Sequence, residues 1–173
     1  SFLSKNSISI NKKILKAKNI IIAVGGKPVD LNILGSDLCV DSDSIMNLKE
    51  LPKRLVIIGA GYIAIEFAFI FSNLGVHVEL IVRRNILRGF DKTLVKMVKE
   101  SLIKNNVRIH LNEQVSRVEK NSKNIKINLK KNRNFILAEK VLIAIGRKPN
   151  IKNLGLEKVN LKCDKNNAII VDR

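Results

Sequence analysis

Three arginines lie close together directly after an apolar segment. In the stretch IVRRNILRGFD, residues 81–91, the apolar run gives way to Arg83, Arg84 and Arg88. Guanidinium groups form charge-assisted hydrogen bonds to phosphate, each worth about 1.5–3 kcal/mol. The alternatives are a solvated loop charge at Arg84 and a helix-flanking residue at Arg88. The clustering predicts that at least two of the three face a phosphate group.

A glycine turn upstream supplies the second half of such a site. GAGYIA, Gly59–Ala64, matches G-x-G-x-x-G/A between a predicted strand and a predicted helix. Gly59 permits a tight turn, Gly61 lets backbone approach a pyrophosphate, and Ala64 lets helix and strand pack closely. The pyrophosphate would lie against the free N–H groups of the helix N-terminus. This context favours nucleotide binding over a purely structural glycine turn.

The residue at the end of the second strand decides which dinucleotide binds. NAD sites place Asp or Glu there to accept hydrogen bonds from the ribose 2′-hydroxyl. Here the strand VHVELIV runs into Arg83, and strand alternation keeps Glu79 away from the tip. An acid would repel a 2′-phosphate, whereas guanidinium groups pair with it. The sequence therefore predicts NADP(H) rather than NAD(H).

The elements that would position these residues alternate strand and helix. We expect a strand at Leu55–Ile58, a helix from Tyr62 to Leu74 ended by Gly75, and the strand HVELIV. A second helix, with Asp91 as N-cap, has apolar residues at helical spacing. These residues are Leu94, Met97, Val98, Leu102 and Ile103. The order predicts an α/β, Rossmann-like nucleotide-binding domain with a parallel sheet and flanking helices.

Outside this core the apolar pattern changes. The segments VRIHL, QVSRVEK, IKINLK and FILAEK alternate with a period of two, which predicts a small antiparallel β-meander. Ile20–Val24 is a run typical of a buried strand, and it precedes GGKP. KVLIAIGRKPN repeats that design, so the two segments are expected where the chain passes between units. NAIIVDR at the end is predicted to be one more short strand.

Bulk composition separates several classes of function. The net charge of +17 would suit nucleic acid, but aromatic residues are 4% of the chain, and Trp, a strong stacking residue, is absent. We therefore expect no nucleic-acid partner, although a basic polyanion-binding module stays open as an alternative. No apolar run approaches the ~20 residues that cross a bilayer, so no membrane association is expected. Cys39 and Cys163 form no close pair, which favours reduced thiols in a cytoplasmic protein without a metal site.

Three motifs in order resemble the flavin-dependent disulfide reductases, the class I pyridine nucleotide-disulfide oxidoreductases, and most of all glutathione reductase. They are GAGYIAIE, the segment from Arg83 to Asp91, and AIGRKPN, with GGKP resembling the family's ATGGxP. The resemblance covers nearly the whole chain. It implies hydride transfer from NADPH to FAD, then electron transfer to a cysteine pair that reduces a disulfide, here glutathione disulfide. It also implies a homodimer when full length.

The resemblance assigns roles residue by residue. Ala60 and Ile63 match residues beside the NADP pyrophosphate and ribose, and Arg83 and Arg88 match the arginines of the 2′-phosphate. Tyr62 matches the ring that covers the nicotinamide pocket of the flavin; packing at the start of the helix is the alternative for this residue. Glu66 matches an acid that pairs with a lysine of the flavin domain; an acid favoured in the first turn by the helix dipole is the alternative. Gly25 in GGKP and Gly146 with Arg147 in AIGRKPN match the family's strand-exit residues, which directly follow an apolar strand and lie beside the cofactor. The loop that leads from the end of the strand to Arg88 is one residue shorter than is usual in the family. This leaves open whether Arg83 or Arg84 contacts the phosphate.

The same resemblance divides the chain. Residues 1–50 are expected to end an FAD-binding domain and form a connector, 51–149 to form the NAD(P)-binding domain, and 150–173 to return to the FAD domain. An amino-terminal FAD fingerprint, a CxxxxC dithiol and a catalytic His–Glu segment are not found in the sequence. His77 and His110 lack a Cys or acid partner at a meaningful spacing and are expected to be structural. We therefore expect an internal fragment that binds NADPH but does not reduce a disulfide alone. Trypanothione, mercuric and dihydrolipoamide types are the alternatives within the family.

Overall fold

The computed structural model describes residues 1–172, which divide into two units. The central unit is Pro28–Gly146, and the terminal unit joins Ser1–Lys27 to the segment that begins at Arg147. Within the described residues the strands are β1 (Phe2–Ser4), β2 (Ser7–Ile10), β3 (Lys13–Lys16), β4 (Gly26–Pro28), β5 (Arg54–Ile58), β6 (His77–Val82), β7 (Arg108–Leu111), β8 (Val115–Asn121), β9 (Asn124–Leu129), β10 (Phe135–Ala138), β11 (Lys140–Ile143) and β12 (Arg147–Pro149). The helices are α1 (Tyr62–Asn73) and α2 (Lys92–Lys104), with 3-10 turns at Ser36–Leu38, Ile45–Asn47 and Leu156–Val159.

The central unit is built on a four-stranded parallel sheet in the order β11-β5-β6-β7. Ile58 pairs with Ile81 on one side and with Ile143 on the other. Because the strands are parallel, their carboxyl ends meet at one edge, where the glycine turn after β5 and the arginines after β6 come together. The predicted α/β fold with a parallel sheet is confirmed.

Helix α1 begins and ends where its glycines allow. Gly61, the N-cap residue, has an extended backbone and supplies no capping side chain. At the other end Gly75, with φ of 82°, donates to the Ser72 carbonyl, and Val76 donates to the Phe71 carbonyl. This pair of bonds is a Schellman motif, which satisfies the last carbonyls of the helix. The predicted stop at Gly75 is confirmed.

Helix α2 begins as predicted but buries less of its apolar surface than expected. The Asp91 carboxylate accepts hydrogen bonds from the backbone N–H groups of Thr93 and Leu94 at 2.9 and 3.0 Å. Leu102 is fully buried against the sheet, whereas Leu94 and Met97 are each 59% exposed. The helical periodicity predicted the element correctly and overestimated the width of its buried face.

The two faces of the parallel sheet carry separate cores. Leu55 and Ile57 of β5 pack on the helix side with α1 and Leu102. Val56 and Ile58, the alternate residues, pack with the antiparallel meander β8-β9-β10. This burial of both faces explains why β5 reads as a continuous apolar run. The predicted meander is confirmed for its three later segments.

The segment VRIHL was assigned to the wrong sheet by its alternation. It forms β7, the edge strand of the parallel sheet, paired with β6. Ile109 packs on the helix-side core, while Arg108 and His110 lie on the opposite face beside Glu79. An edge strand with one polar face alternates in the same way as an antiparallel strand, so period alone could not separate the two.

The terminal unit contains a three-stranded antiparallel sheet in the order β1-β2-β3 and the pair β12-β4. The predicted buried strand at Ile20–Val24 is wrong: these residues form no strand, and Ile21 is 90% exposed. No strand within residues 1–172 pairs with this run, so its apolar character alone does not make it a strand. The predicted strand NAIIVDR is also wrong where it is described, since only Ile169 makes an isolated bridge, to Cys163. Arg173, its last residue, lies outside the described residues.

Candidate functional site

A cavity of about 450 Å³ opens at the carboxyl ends of β5 and β6, within the central unit. It brings the glycine turn and the arginine loop into one site, although they are more than twenty residues apart in the chain. Its lining residues are Leu31, Ile58, Gly59, Ala60, Gly61, Ile81, Arg83, Arg84, Asn85, Arg88, Glu113, Gln114, Val115 and Ile145.

The two glycines of the turn are needed for different reasons. Gly59 has φ of 147°, and a Cβ atom there would lie 2.2 Å from the carbonyl oxygen of Ala144, so no side chain fits. Gly61 has an ordinary φ of −80°, and a Cβ atom there would meet no atom within 4 Å. The first position is closed by the protein itself. The second leaves an open cradle at the start of α1.

The arginine loop is anchored by two buried apolar residues and a backbone hydrogen bond. Ile86 and Leu87 are buried in the helix-side core. Leu87 has a positive φ of 49°, uncommon for a residue of its size, and its N–H donates to the Ala60 carbonyl at 2.7 Å. This hydrogen bond attaches the loop to the glycine turn.

The three arginines of the loop all line the cavity. Arg83, Arg84 and Arg88 are exposed, and within residues 1–172 none of them forms a salt bridge. Three uncompensated cations therefore line one cavity together with an uncapped helix N-terminus. Such a site suits the phosphates of an anionic ligand, because free N–H groups and guanidinium groups both favour negative charge.

Four predicted residues on α1 lie outside the cavity lining. Ala64 is fully buried and packs α1 on the sheet, as expected of the last position of the fingerprint. Ile63 is partly buried against the helix-side core. Tyr62 is 55% exposed, and Glu66 is exposed one helical turn later on the same side of the helix.

The predicted strand-exit residues are divided between the two units. In the terminal unit the Gly25 carbonyl accepts a hydrogen bond from Asn150 N–H at 3.0 Å, and the Arg147 guanidinium donates to the Gly26 carbonyl. In the central unit the Gly146 carbonyl accepts from Val29 N–H at 3.0 Å. None of the three predicted residues lines the cavity; the neighbouring Ile145 does.

Among the lining residues that sequence reasoning missed, Glu113 is the charged one. It follows β7 and is only 2% exposed, and no cation within residues 1–172 pairs with it. Its Oε1 accepts from the N–H groups of Gln114 and Lys131, each at 2.9 Å. Burial disfavours the charged form, but the backbone N–H donors outweigh burial and hold the pKa of Glu113 below its ordinary value. A lone Glu in a polar loop gave no signal of this role in the sequence.

A second buried carboxylate lies on the meander side of the sheet, away from the cavity. Glu79 is 4% exposed, and its Oε2 lies 2.7 Å from His110 Nε2. His77 and Arg54 approach the other oxygen at 3.7 and 4.0 Å. The sequence spacing showed no acid partner for the histidines, but the register of β6 against β7 supplies one for His110. The hydrogen bond with His110 holds the pKa of Glu79 below its ordinary value of 4.5 despite burial.

Metal-ligating side chains and thiols are not clustered in the part of the chain that the structure describes. No group of three His, Cys, Asp or Glu side chains among residues 1–172 could hold a metal ion. Cys39 and Cys163 are free thiols, and burial raises the pKa of Cys39 to about 11. No helix among the same residues has the length and apolar character to cross a bilayer.

The fold and the cavity together define a member of a known enzyme family. The family model described as pyridine nucleotide-disulphide oxidoreductase matches residues 1–173, and the chain belongs to this family. The resemblance noted in the sequence is thereby confirmed.

Its relatives include enzymes that carry a more specific name. It is 34% identical over 171 residues to glutathione reductase, chloroplastic/mitochondrial, of Pisum sativum, covering 96% of this chain and 30% of that protein. It is 37% identical over 168 residues to glutathione reductase of Burkholderia cepacia, covering 96% of this chain and 37% of that protein. The chain thus spans about a third of the length of these relatives.

Solved structures give the same result for the fold. The HOCl-induced flavoprotein disulfide reductase RclA from Escherichia coli superposes with a TM-score of 0.90 at 27% identity. The match covers 99% of this chain and 40% of that one.

Proposed function

We propose that the central unit binds NADP(H). The observation that carries this proposal is the meeting, in one cavity, of the glycine turn and three arginines that have no salt-bridge partner among residues 1–172. Gly59, Ala60 and Gly61 would hold the pyrophosphate at the start of α1, with Ile63 and Ala64 behind them. The open cradle at Gly61 provides the close approach that a pyrophosphate needs.

The choice of NADP(H) over NAD(H) rests on charge at the end of β6. Arg83, Arg84 and Arg88 would bind the 2′-phosphate, which an acid at this place would repel. Glu79 lies three residues before the end of the strand, on its buried face. Glu113 lines the cavity, but Oε1, the better-bonded of its oxygens, is already occupied by backbone N–H groups. Neither acid lies at the end of β6, where an NAD site places its ribose acceptor.

Tyr62 and Glu66 are proposed to face the flavin of the complete enzyme. Both are exposed on one side of α1, outside the nucleotide cavity, and neither side chain has a hydrogen-bond or ion-pair partner within residues 1–172. Tyr62 would cover the nicotinamide pocket until NADPH displaces it, and Glu66 would pair with a lysine. Gly25, Gly146 and Arg147 would support the cofactors where the chain passes between domains.

For the whole protein we propose a flavin-dependent disulfide reductase of the glutathione reductase type. Bound NADPH and FAD would supply the hydride and electron transfer, and glutathione disulfide would be the substrate of a cytoplasmic homodimer. Residues 1–50 and 150–173 would belong to the FAD domain and 51–149 to the NADP domain. The 173-residue chain alone is proposed to bind NADPH without disulfide reductase activity.

Titration with NADPH, NADH and duplex DNA tests this function. We expect saturable binding of NADPH, weaker binding of NADH, and DNA binding that disappears at physiological salt. No binding of either dinucleotide, together with tight salt-sensitive DNA binding, would instead identify a basic polyanion-binding module.

A further inference from the structure

A basic turn is hydrogen-bonded to two residues of the cavity lining, Glu113 and Gln114. Lys130, Lys131, Asn132 and Arg133 follow β9 and lead to β10, and all four are exposed. In the sequence they belong to a run of scattered lysines and asparagines that is typical of solvated surface. Hydrogen bonds of their backbone N–H groups nevertheless fix the position of the turn.

Glu113 and Gln114, both of which line the cavity, hold this turn by its backbone. The Glu113 carboxylate accepts from Lys131 N–H at 2.9 Å and from Asn132 N–H at 3.4 Å. The Gln114 carbonyl accepts from Lys130 N–H at 2.8 Å. Glu113 N–H in turn donates to the carbonyl of Val82, the residue before Arg83, at 3.0 Å. One buried residue, Glu113, therefore holds the basic turn through its carboxylate and the strand end that carries the arginines through its backbone N–H.

These hydrogen bonds explain how the buried carboxylate of Glu113 can line a cavity that suits anions. An isolated buried carboxylate would cost free energy and would oppose an anionic ligand. Because backbone N–H groups surround it, its charge is compensated locally. The turn that it holds carries three cationic residues, and its backbone is hydrogen-bonded to the cavity-lining residues Glu113 and Gln114.

We infer that the turn Lys130–Arg133 is an electrostatic guide for the anionic dinucleotide, and that Glu113 is the residue that positions it. The inference rests on the proposed function. Clustered charge beside a cavity raises the association rate of an oppositely charged ligand, and the effect falls as ionic strength rises. The side chains of the turn are exposed, so their contribution lies in the association rate rather than in the dissociation rate.

Stopped-flow measurement of NADPH fluorescence with the 173-residue chain tests the inference over a series of salt concentrations. The variant K130Q/K131Q/R133Q is expected to lower the association rate constant about fivefold at low salt. Its salt dependence should also decrease, with the dissociation rate unchanged. The matched control K49Q/K53Q/K104Q removes the same charge from the other end of the sheet, before β5 and at the end of α2, and should retain both the rate and the salt dependence.

Two variants of Glu113 separate positioning from general stability. Glu113→Ala removes the acceptor of the turn and should lose salt-dependent association as the triple variant does. Glu113→Gln keeps one carbonyl oxygen for the N–H groups of Gln114 and Lys131 and should restore it. If Glu113→Ala does not fold, the triple variant still decides, because its three side chains are exposed. Normal NADPH binding with unchanged association rates in the triple variant overturns this inference alone, whereas no NADPH binding by the wild-type chain overturns the proposed function as well.

Discussion

The backbone N–H of Leu87 donates a hydrogen bond to the carbonyl oxygen of Ala60 at 2.7 Å. Ala60 belongs to the glycine turn after β5, and Leu87 belongs to the loop after β6 that carries the three arginines. The bond fixes the two phosphate-binding parts of the proposed site relative to each other before any ligand arrives. Such preorganisation lowers the entropy lost on binding.

Leu87→Ala is expected to loosen this connection. The side chain is buried in the helix-side core, and its removal should lower the free energy of unfolding by about 2–4 kcal/mol. The alanine keeps the unfavourable positive φ without the apolar contacts that hold it. Chemical denaturation measures the stability, and NADPH titration of the folded variant should show weaker binding. Unaltered stability and affinity together would contradict the role assigned to Leu87.

Substitution by alanine should have different effects at the two glycines of the turn, on stability at Gly59 and on NADPH binding at Gly61. Gly59→Ala places a Cβ atom 2.2 Å from the Ala144 carbonyl oxygen at φ of 147°, so we expect a loss of about 3 kcal/mol or more in stability. Gly61→Ala meets no atom of the protein and should fold normally. It should nevertheless weaken NADPH binding at least about tenfold, because the methyl group occupies the pyrophosphate approach. Thermal melts and titrations of both variants provide the comparison, and tight NADPH binding by Gly61→Ala would be the contrary result.

The elements around the cavity could be predicted because their signals are local. Gly59 to Ala64, Gly75 and Asp91 each determine backbone geometry within a few residues, and each behaves in the structure as its type predicts. The convergence of the turn and the arginine loop follows from parallel strands, which alternation of strand and helix indicates.

Features that depend on long-range pairing could not be read in this way. The partnership of Glu79 with His110 depends on the register of β6 against β7, and 31 residues separate the two in sequence. The hydrogen-bond donors of the Glu113 carboxylate include a turn that begins 17 residues later, at Lys130, after a strand of a different sheet. Ile20–Val24 has the composition of a buried strand, and composition does not supply the neighbouring strand that burial needs.

Glu79 predicts a specific dependence of stability on acid pH. Its pKa in the folded chain lies below the ordinary value of 4.5, mainly through the hydrogen bond with His110. Its contribution to stability is therefore fully present above pH 4.5 and is lost as pH falls through the folded pKa. Glu79→Gln should be less stable by about 1–3 kcal/mol at pH 7 and should converge with the wild type in acid.

Chemical denaturation of the wild type and of Glu79→Gln, repeated from pH 7 down to a pH below the folded pKa of Glu79, provides this measurement. Glu100→Gln, at an exposed position of α2, is the matched control and should follow the wild-type curve throughout. A constant difference between Glu79→Gln and wild type at every pH would show that the carboxylate charge is not responsible.

Removal of the Asp91 carboxylate should lower the stability of the protein through the loss of the N-cap of α2. Its carboxylate accepts from two first-turn N–H groups of α2, so Asp91→Ala should cost about 1 kcal/mol of stability. Asp91→Asn keeps an acceptor oxygen and should retain most of it. Equal losses in the two variants, measured by denaturation, would assign the effect to charge at the helix terminus rather than to capping.

The specificity assigned to the arginine loop is tested most directly by the ratio of the NADH and NADPH dissociation constants. In the wild-type chain NADPH should bind about a hundredfold more tightly, corresponding to about 2.7 kcal/mol from guanidinium–phosphate bonds. R83Q/R84Q/R88Q should bring the ratio close to one, chiefly by weakening NADPH. The single variants Arg83→Gln and Arg84→Gln then identify the closer contact. A wild-type ratio of one, or a ratio that the triple variant leaves unchanged, would contradict the account.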